Sequence, residues 1–171
     1  IYINNNNIDE SNYLDKVDGF EKDYGIKKEN ILSNAKNEFR YFCYNYVEFI
    51  RNLNLPFIKQ NNKLEAVLIE YRCFPHIEFI LRNNIYKLGS DWSFSIICGN
   101  LNYEYLKKMI EMLRVDIKLI KTDYDNLNQS SYSKLLASKY FWNLLNGEKI
   151  LIYQEDSIIF NNNIIDFLEY D

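Results

Sequence analysis

The sequence predicts an α/β protein: a mostly parallel four-stranded sheet flanked by helices, preceded by an N-terminal helical arm. Two observations predict it. From Lys63 onward, four short apolar, β-prone runs alternate strictly with helical patterns. Strands separated in this way need right-handed crossovers, which cover both faces of a parallel sheet. The chain has 171 residues, 47% hydrophobic and 26% charged, which supplies one ordinary core rather than two.

The elements follow in order. Residues 1–30 carry four consecutive asparagines, Asn4 to Asn7, and no sustained periodicity, so they read as a peripheral arm. Ile31, Ala35, Phe39, Phe42, Tyr46, Phe49 and Leu53 then recur at steps of three and four, placing an aromatic stripe on one face of a helix that ends before Pro56. That stripe needs cover, from the sheet or from a second copy of the chain. Asn61 and Asn62 mark a boundary between residues 1–62 and residues 63–171. Leu64 to Ile69 reads as the first strand, closed by Glu70, Tyr71 and Arg72. Pro75 suits the first turn of a helix whose apolar face is Ile77, Ile80, Leu81, Ile85 and Leu88, stopped by Gly89. Phe94 to Cys98 is the second strand, and Gly99 and Asn100 turn the chain into a helix carrying Leu106, Met109 and Leu113. Val115 to Ile120 is the third strand. A long helix from Ser131 to Leu145 stops at Gly147, and Lys149 to Tyr153, the fourth strand, runs into Gln154, Glu155 and Asp156.

Composition excludes several functions. Lys plus Arg total 20 against 24 Asp plus Glu, with no basic stripe to neutralise a phosphate backbone, which argues against a dedicated nucleic-acid binder. A single histidine excludes His-based metal clusters and HExxH metalloproteases, and GxGxxG, GxxxxGK[ST] and GxSxG are all missing. Cys43, Cys73 and Cys98 form neither a disulfide framework nor a zinc pattern and read as three buried free thiols. No apolar run approaches the roughly 20 residues of a membrane span, and the first residues lack a signal-peptide pattern, so the expectation is a soluble, cytoplasmic protein.

Ligands of such sheets bind beyond the carboxyl ends of the strands. Polar clusters fall there at Glu70 to Arg72, Gly99 to Asn102 and Gln154 to Ser157. Glu155 and Asp156 are costly to bury unless paired or bound to a cation, and a divalent ion on a diphosphate would supply that charge. Adjacent side chains on extended backbone point opposite ways, so Asp156 is the expected ligand and Glu155 faces elsewhere; a solvated turn is the alternative. Arg72 either forks onto a phosphate or pairs with Glu70. His76 reads as helix-start packing or surface, and Trp92 as core at the opposite end of the sheet. Asp123 and Asp125 lie on the ligand side in a solvated loop, and Ser130 and Ser131 read as caps of the long helix.

Three stretches carry a resemblance: Val67-Leu68-Ile69-Glu70-Tyr71-Arg72 with Pro75-His76-Ile77-Glu78, then Trp92 to Asn100, then Ile150 to Ser157. Over residues 63–171 the chain resembles the glycosyltransferase-like domain DUF5672, and through it the Rossmann-like, GT-A type of nucleotide-sugar transferase. The resemblance implies an Asp-x-Asp motif after the fourth strand that holds Mn²⁺ or Mg²⁺ on the donor's diphosphate. Asp156 matches its last acid, and Gln154 stands where the first Asp would be. It also implies that Glu70, Tyr71, Arg72 and Gly99 line the nucleotide pocket, and that a glycan or protein is the acceptor. Phe167 to Asp171 look like the start of the family's next block, which makes the expected protein a donor-binding half. A non-catalytic binding module and an unrelated Mg²⁺-dependent phosphate enzyme are the other readings. With the Asn-rich composition, the resemblance suggests a large DNA virus, hence host cytoplasm or virion.

Overall fold

The computed structural model describes residues 10–161 and 163–169. Four strands, β1 (Leu64–Ile69), β2 (Trp92–Cys98), β3 (Lys118–Lys121) and β4 (Lys149–Tyr153), form one sheet in the order β3-β2-β1-β4. Every pairing is parallel, with Leu64 opposite Trp92 on one side and Lys149 on the other. The chain therefore steps outward from β1 to β3, then returns past β1 to place β4 on its far side. The order in which the chain adds strands reverses between β1 and β4, and a crevice opens at that switch point.

Both faces are covered, as the apolar runs require. Ala66, Leu68, Phe94 and Ile96 face α3 (Ile77–Leu88) and α4 (Tyr103–Leu113) in one core. Val67, Ile69, Tyr71 and Ile97 face α5 (Gln129–Leu136) and α6 (Lys139–Asn143) in the other. This is the two-residue period of a strand read out on two buried surfaces. Gly89, at φ 77°, ends α3 as expected, because a left-handed residue without a Cβ closes a helix at no steric cost. Trp92 is buried at the start of β2. Among the described residues no helix is long and apolar enough to cross a membrane.

The N-terminal region differs from the sequence reading. Residues 10–30, read as a peripheral arm without sustained periodicity, form defined elements: α1 (Glu10–Tyr24) and a 3-10 turn (Lys28–Ser33) bury Val17, Phe20 and Ile31 against Tyr24, Tyr41 and Tyr44. Gly19 hides this helix from a propensity argument, and it lets Tyr44 pack close: a Cβ at Gly19 would lie 2.6 Å from the Tyr44 hydroxyl, which would have to shift. Residues 1–9, with the four asparagines, and Tyr170 and Asp171 lie outside the described residues.

The next helix, α2 (Ala35–Arg51), begins four residues later than expected, because the Asn34 side chain caps it by accepting from the Asn37 N–H. Its buried residues are Cys43 and Ile50, packed on Phe79 of α3, while Phe42 and Phe49 stay 38% and 59% exposed. The aromatic stripe is thus only partly covered, and the cover comes from within the chain. Three smaller corrections follow. The helix expected over residues 131–145 is two helices, α5 and α6, because Ser138 breaks it and caps the second by accepting from the Phe141 N–H. Asn128, rather than Ser130 or Ser131, caps α5. β3 starts at Lys118, and Cys73 is exposed while Cys43 and Cys98 are buried.

Candidate functional site

At the switch point a cavity of about 190 Å³ is lined by residues from three places: Glu70, Tyr71 and Arg72 after β1, Gln154 and Glu155 after β4, and Lys36 from the first turn of α2. Asn126, Leu127 and Tyr132 close its far wall. Whole-ligand sites run to roughly 300–1,000 Å³, so this one takes part of a ligand. A larger cavity, about 570 Å³, runs between α2 and α4 past Tyr44, Val47, Tyr105 and Met109. Arg51 and Glu78 at its edge are already paired with each other, so the chemistry concentrates in the smaller cavity.

Glu155 organises the site. Its carboxylate, 2% exposed, accepts from Arg40 Nε at 3.1 Å and Nη2 at 2.5 Å, and from His76 Nε2 at 2.9 Å. Lys36 Nζ lies 3.0 Å away and Arg72 Nη2 3.4 Å. Burial alone would raise the Glu155 pKa, but the hydrogen bonds from His76, Arg40 and Lys36 outweigh it and hold the carboxyl well below its usual range. His76 Nε2 faces only acceptors, the Glu155 carboxylate and carbonyl, so it carries a hydrogen and donates to them. The His76 backbone N–H donates to Tyr24 Oη at 3.0 Å, and Oη also bonds Nδ1 at 2.6 Å. Burial pushes the Tyr24 phenol far above its ordinary pKa, which keeps it a donor.

Glu70, also buried, fixes Arg72: Oε1 accepts from the Arg72 Nε at 2.8 Å and from the backbone N–H groups of Tyr71 and Arg72, and Oε2 accepts from Nη2 at 2.9 Å. The Phe74 ring lies 4.5 Å from the Arg40 guanidinium and 4.6 Å from that of Arg72, so an aromatic face spaces the two cations. Asn102, fully buried, ties the strand ends together by accepting from the Gly99 N–H and donating to the Glu70 and Arg72 carbonyls.

Of the residues expected at the site, Glu70, Tyr71, Arg72 and Gln154 line the cavity, while Gly99 and Asp156 do not. Gly99 is packed against the Tyr124 carbonyl and the Tyr71 ring. The acidic pair departs from the extended-backbone expectation. Glu155 and Asp156 sit in a turn, so both carboxylates reach one ammonium, with Asp156 Oδ2 at 3.1 Å from Lys36 Nζ. Asp123 and Asp125 are exposed in their loop, and Asp125 accepts from Asn100 Nδ2 at 3.3 Å. Lys36 and Arg40 escaped the sequence reading. A lysine in the first turn runs against the helix dipole, and an arginine four residues on shares its face; that mismatch was the available signal.

The donor set does not fit a Mn²⁺ or Mg²⁺ ion as the resemblance implies it. Among the described residues no group of three His, Cys, Asp or Glu side chains could hold a metal. The two adjacent acids are already neutralised by Lys36, Arg40 and Arg72.

One comparison with known proteins bears on this site. Residues 114–171 match the family described as a protein of unknown function, DUF5672. That stretch, about a third of the chain, takes in β3, α5, α6, β4 and the Gln154 to Asp156 turn, and leaves out β1, β2 and α2, the helix that supplies both Lys36 and Arg40. No curated protein and no solved structure matches the chain.

Proposed function

We propose that the switch-point cavity binds the diphosphate of a nucleoside diphosphate sugar, and that the chain is a glycosyltransferase or its donor-binding part, acting on a hydroxyl of a glycan or protein. One observation carries this reading: Glu70 to Arg72 and Gln154 with Glu155, far apart in sequence, meet around one polar cavity at the carboxyl ends of β1 and β4. The resemblance over residues 63–171 supports it, and the DUF5672 match includes the β4 side of the cavity. In the transfer, the acceptor oxygen bonds to the anomeric carbon as that carbon's bond to the phosphate oxygen breaks. The electron pair leaves with the nucleoside diphosphate, so positive groups fixed beside that oxygen lower the barrier. Arg72, held by Glu70 and lining the cavity, is placed to be one of them.

Calorimetric titration with UDP, GDP and their common sugars, set against glucose 1-phosphate and inorganic phosphate, tests the reading. The expected result is saturable binding of at least one nucleotide, weakened roughly tenfold by Arg72→Ala through loss of a charge-assisted contact. Folded protein that binds no nucleotide, or binds simple phosphates equally well, would overturn it. Gln154 favours a second reading, a binding module without transfer, because an amide stands where the resemblance places an acid. Donor turnover by a chain that binds nucleotide sugar separates the two.

A further inference from the structure

We infer that the Lys36 ammonium takes the place that a divalent cation would have at this site and contacts the donor's diphosphate directly, so that donor binding does not require a metal. The inference rests on the donor-site reading above and deepens it. Lys36 Nζ lies between two carboxylates, 3.0 Å from Glu155 and 3.1 Å from Asp156, where a bridging cation would sit. The carboxylates are not what a ligand meets first. The Glu155 side chain is 2% exposed and that of Asp156, 34% exposed, lies outside the cavity lining, whereas those of Lys36 and Arg72 are 46% and 42% exposed and both line the cavity.

Glu155 does not depend on Lys36 for its own charge balance, because Arg40 grips both of its oxygens and His76 donates to one of them. The ammonium carries three donors, and two face the carboxylates, so one can turn to a phosphate oxygen without orphaning either acid. Arg72 adds a second cation on the same wall: its Nε and Nη2 are spent on Glu70 and Glu155, while Nη1 takes part in none of these bonds. Burial works against the charge on Lys36, but hydrogen bonds to Glu155 and Asp156 outweigh it and raise its pKa, so the cation is present at every physiological pH. The N-terminal helical region is therefore part of the ligand site, and α2 supplies its pivotal cation.

The test titrates UDP, GDP and inorganic pyrophosphate into the full chain, each with EDTA and with Mn²⁺. Wild type, Lys36→Met, Lys36→Arg and Asp156→Asn are compared, with a thermal melt for every variant. The expected result is binding in EDTA that Mn²⁺ changes by no more than about threefold, a loss of roughly tenfold or more in Lys36→Met, recovery in Lys36→Arg, and no loss in Asp156→Asn. Lys36→Met should melt close to wild type, since Arg40 and His76 still hold Glu155. Binding seen only with Mn²⁺, abolished by Asp156→Asn and indifferent to Lys36→Met, would overturn the inference while leaving the donor site standing. Absence of all binding by folded protein would overturn both.

Discussion

Glu155 shows how one residue joins stability to the site. Four cationic or hydrogen-bonding side chains converge on its buried carboxylate, and removing the charge leaves Arg40 largely enclosed without its partner. Breaking a buried pair from one side costs about 3–5 kcal/mol, so Glu155→Gln should lose roughly 3 kcal/mol at pH 7. The sign of the pH dependence follows from the depressed folded-state pKa. The unfolded chain binds a proton near pH 4.3, the ordinary glutamate value, before the folded one does. The stabilisation is therefore complete above that pH and declines as pH falls toward the lower folded value. Urea unfolding of wild type and Glu155→Gln from pH 7 to 2.5 should show a gap that is constant down to about pH 4.5 and narrows below it. A gap that holds constant throughout would mean that packing, not charge, makes the difference. The acidic pair was legible in the sequence as a polar strand end, and a turn there was one of its two readings; the other, on extended backbone with the two side chains pointing opposite ways, fails because the chain turns after Tyr153 and both acids meet Lys36.

At the scale of elements, the strand ends are held in register by close approaches that apolar periodicity does not encode. The four strands were readable because each is a short apolar run between polar ends. The α1 helix was not, because its apolar contacts rest on Val17 and Phe20 among charged residues and a glycine. The break between α5 and α6 was missed because a single serine serves as both interruption and cap. Gly99 shows the same limit at the site. A Cβ there would overlap the Tyr124 carbonyl and stand 2.7 Å from the Tyr71 ring, so the β2 end approaches the loop after β3 only because the side chain is absent. Tyr71 in turn bonds Thr122 at 2.8 Å, and the Asn100 N–H donates to the Tyr124 carbonyl at 3.3 Å. Gly99→Ala must push this loop outward, at a cost of about 1–3 kcal/mol. Denaturation should report that loss, and the displaced loop, which carries Asn126 and Leu127, should weaken any nucleotide bound by the wild type. A variant as stable as wild type would show that the loop gives way freely.

For the whole molecule, the question is whether residues 63–171 form a unit without the helices before them. The boundary at Asn61 and Asn62 falls in a loop, as the sequence suggested, but the energetics cross it. Arg51 of α2 donates to both oxygens of the buried Glu78 carboxylate at 2.8 and 2.6 Å, leaving Arg82 as its other cation. Lys36 and Arg40 do the same for Glu155, and Tyr24 for His76. Deleting residues 1–62 strips partners from two buried carboxylates at about 3 kcal/mol each, roughly 6 kcal/mol in all. It also uncovers Phe79, which packs on Cys43 and Ile50. Domains of this size are stable by only about 5–15 kcal/mol, so the electrostatic loss alone is comparable to the lower end of that range. The 63–171 fragment is therefore expected to lack a cooperative thermal transition and a dispersed amide spectrum, where the full chain has both. Mutating Glu78 and Glu155 to Gln in the fragment should recover part of the order by removing the unpaired charges. A fragment that melts as cooperatively as the full chain would show instead that water or Arg72, Arg82 and His76 suffice for the two acids, and that α1 and α2 contribute to the site without holding up the sheet.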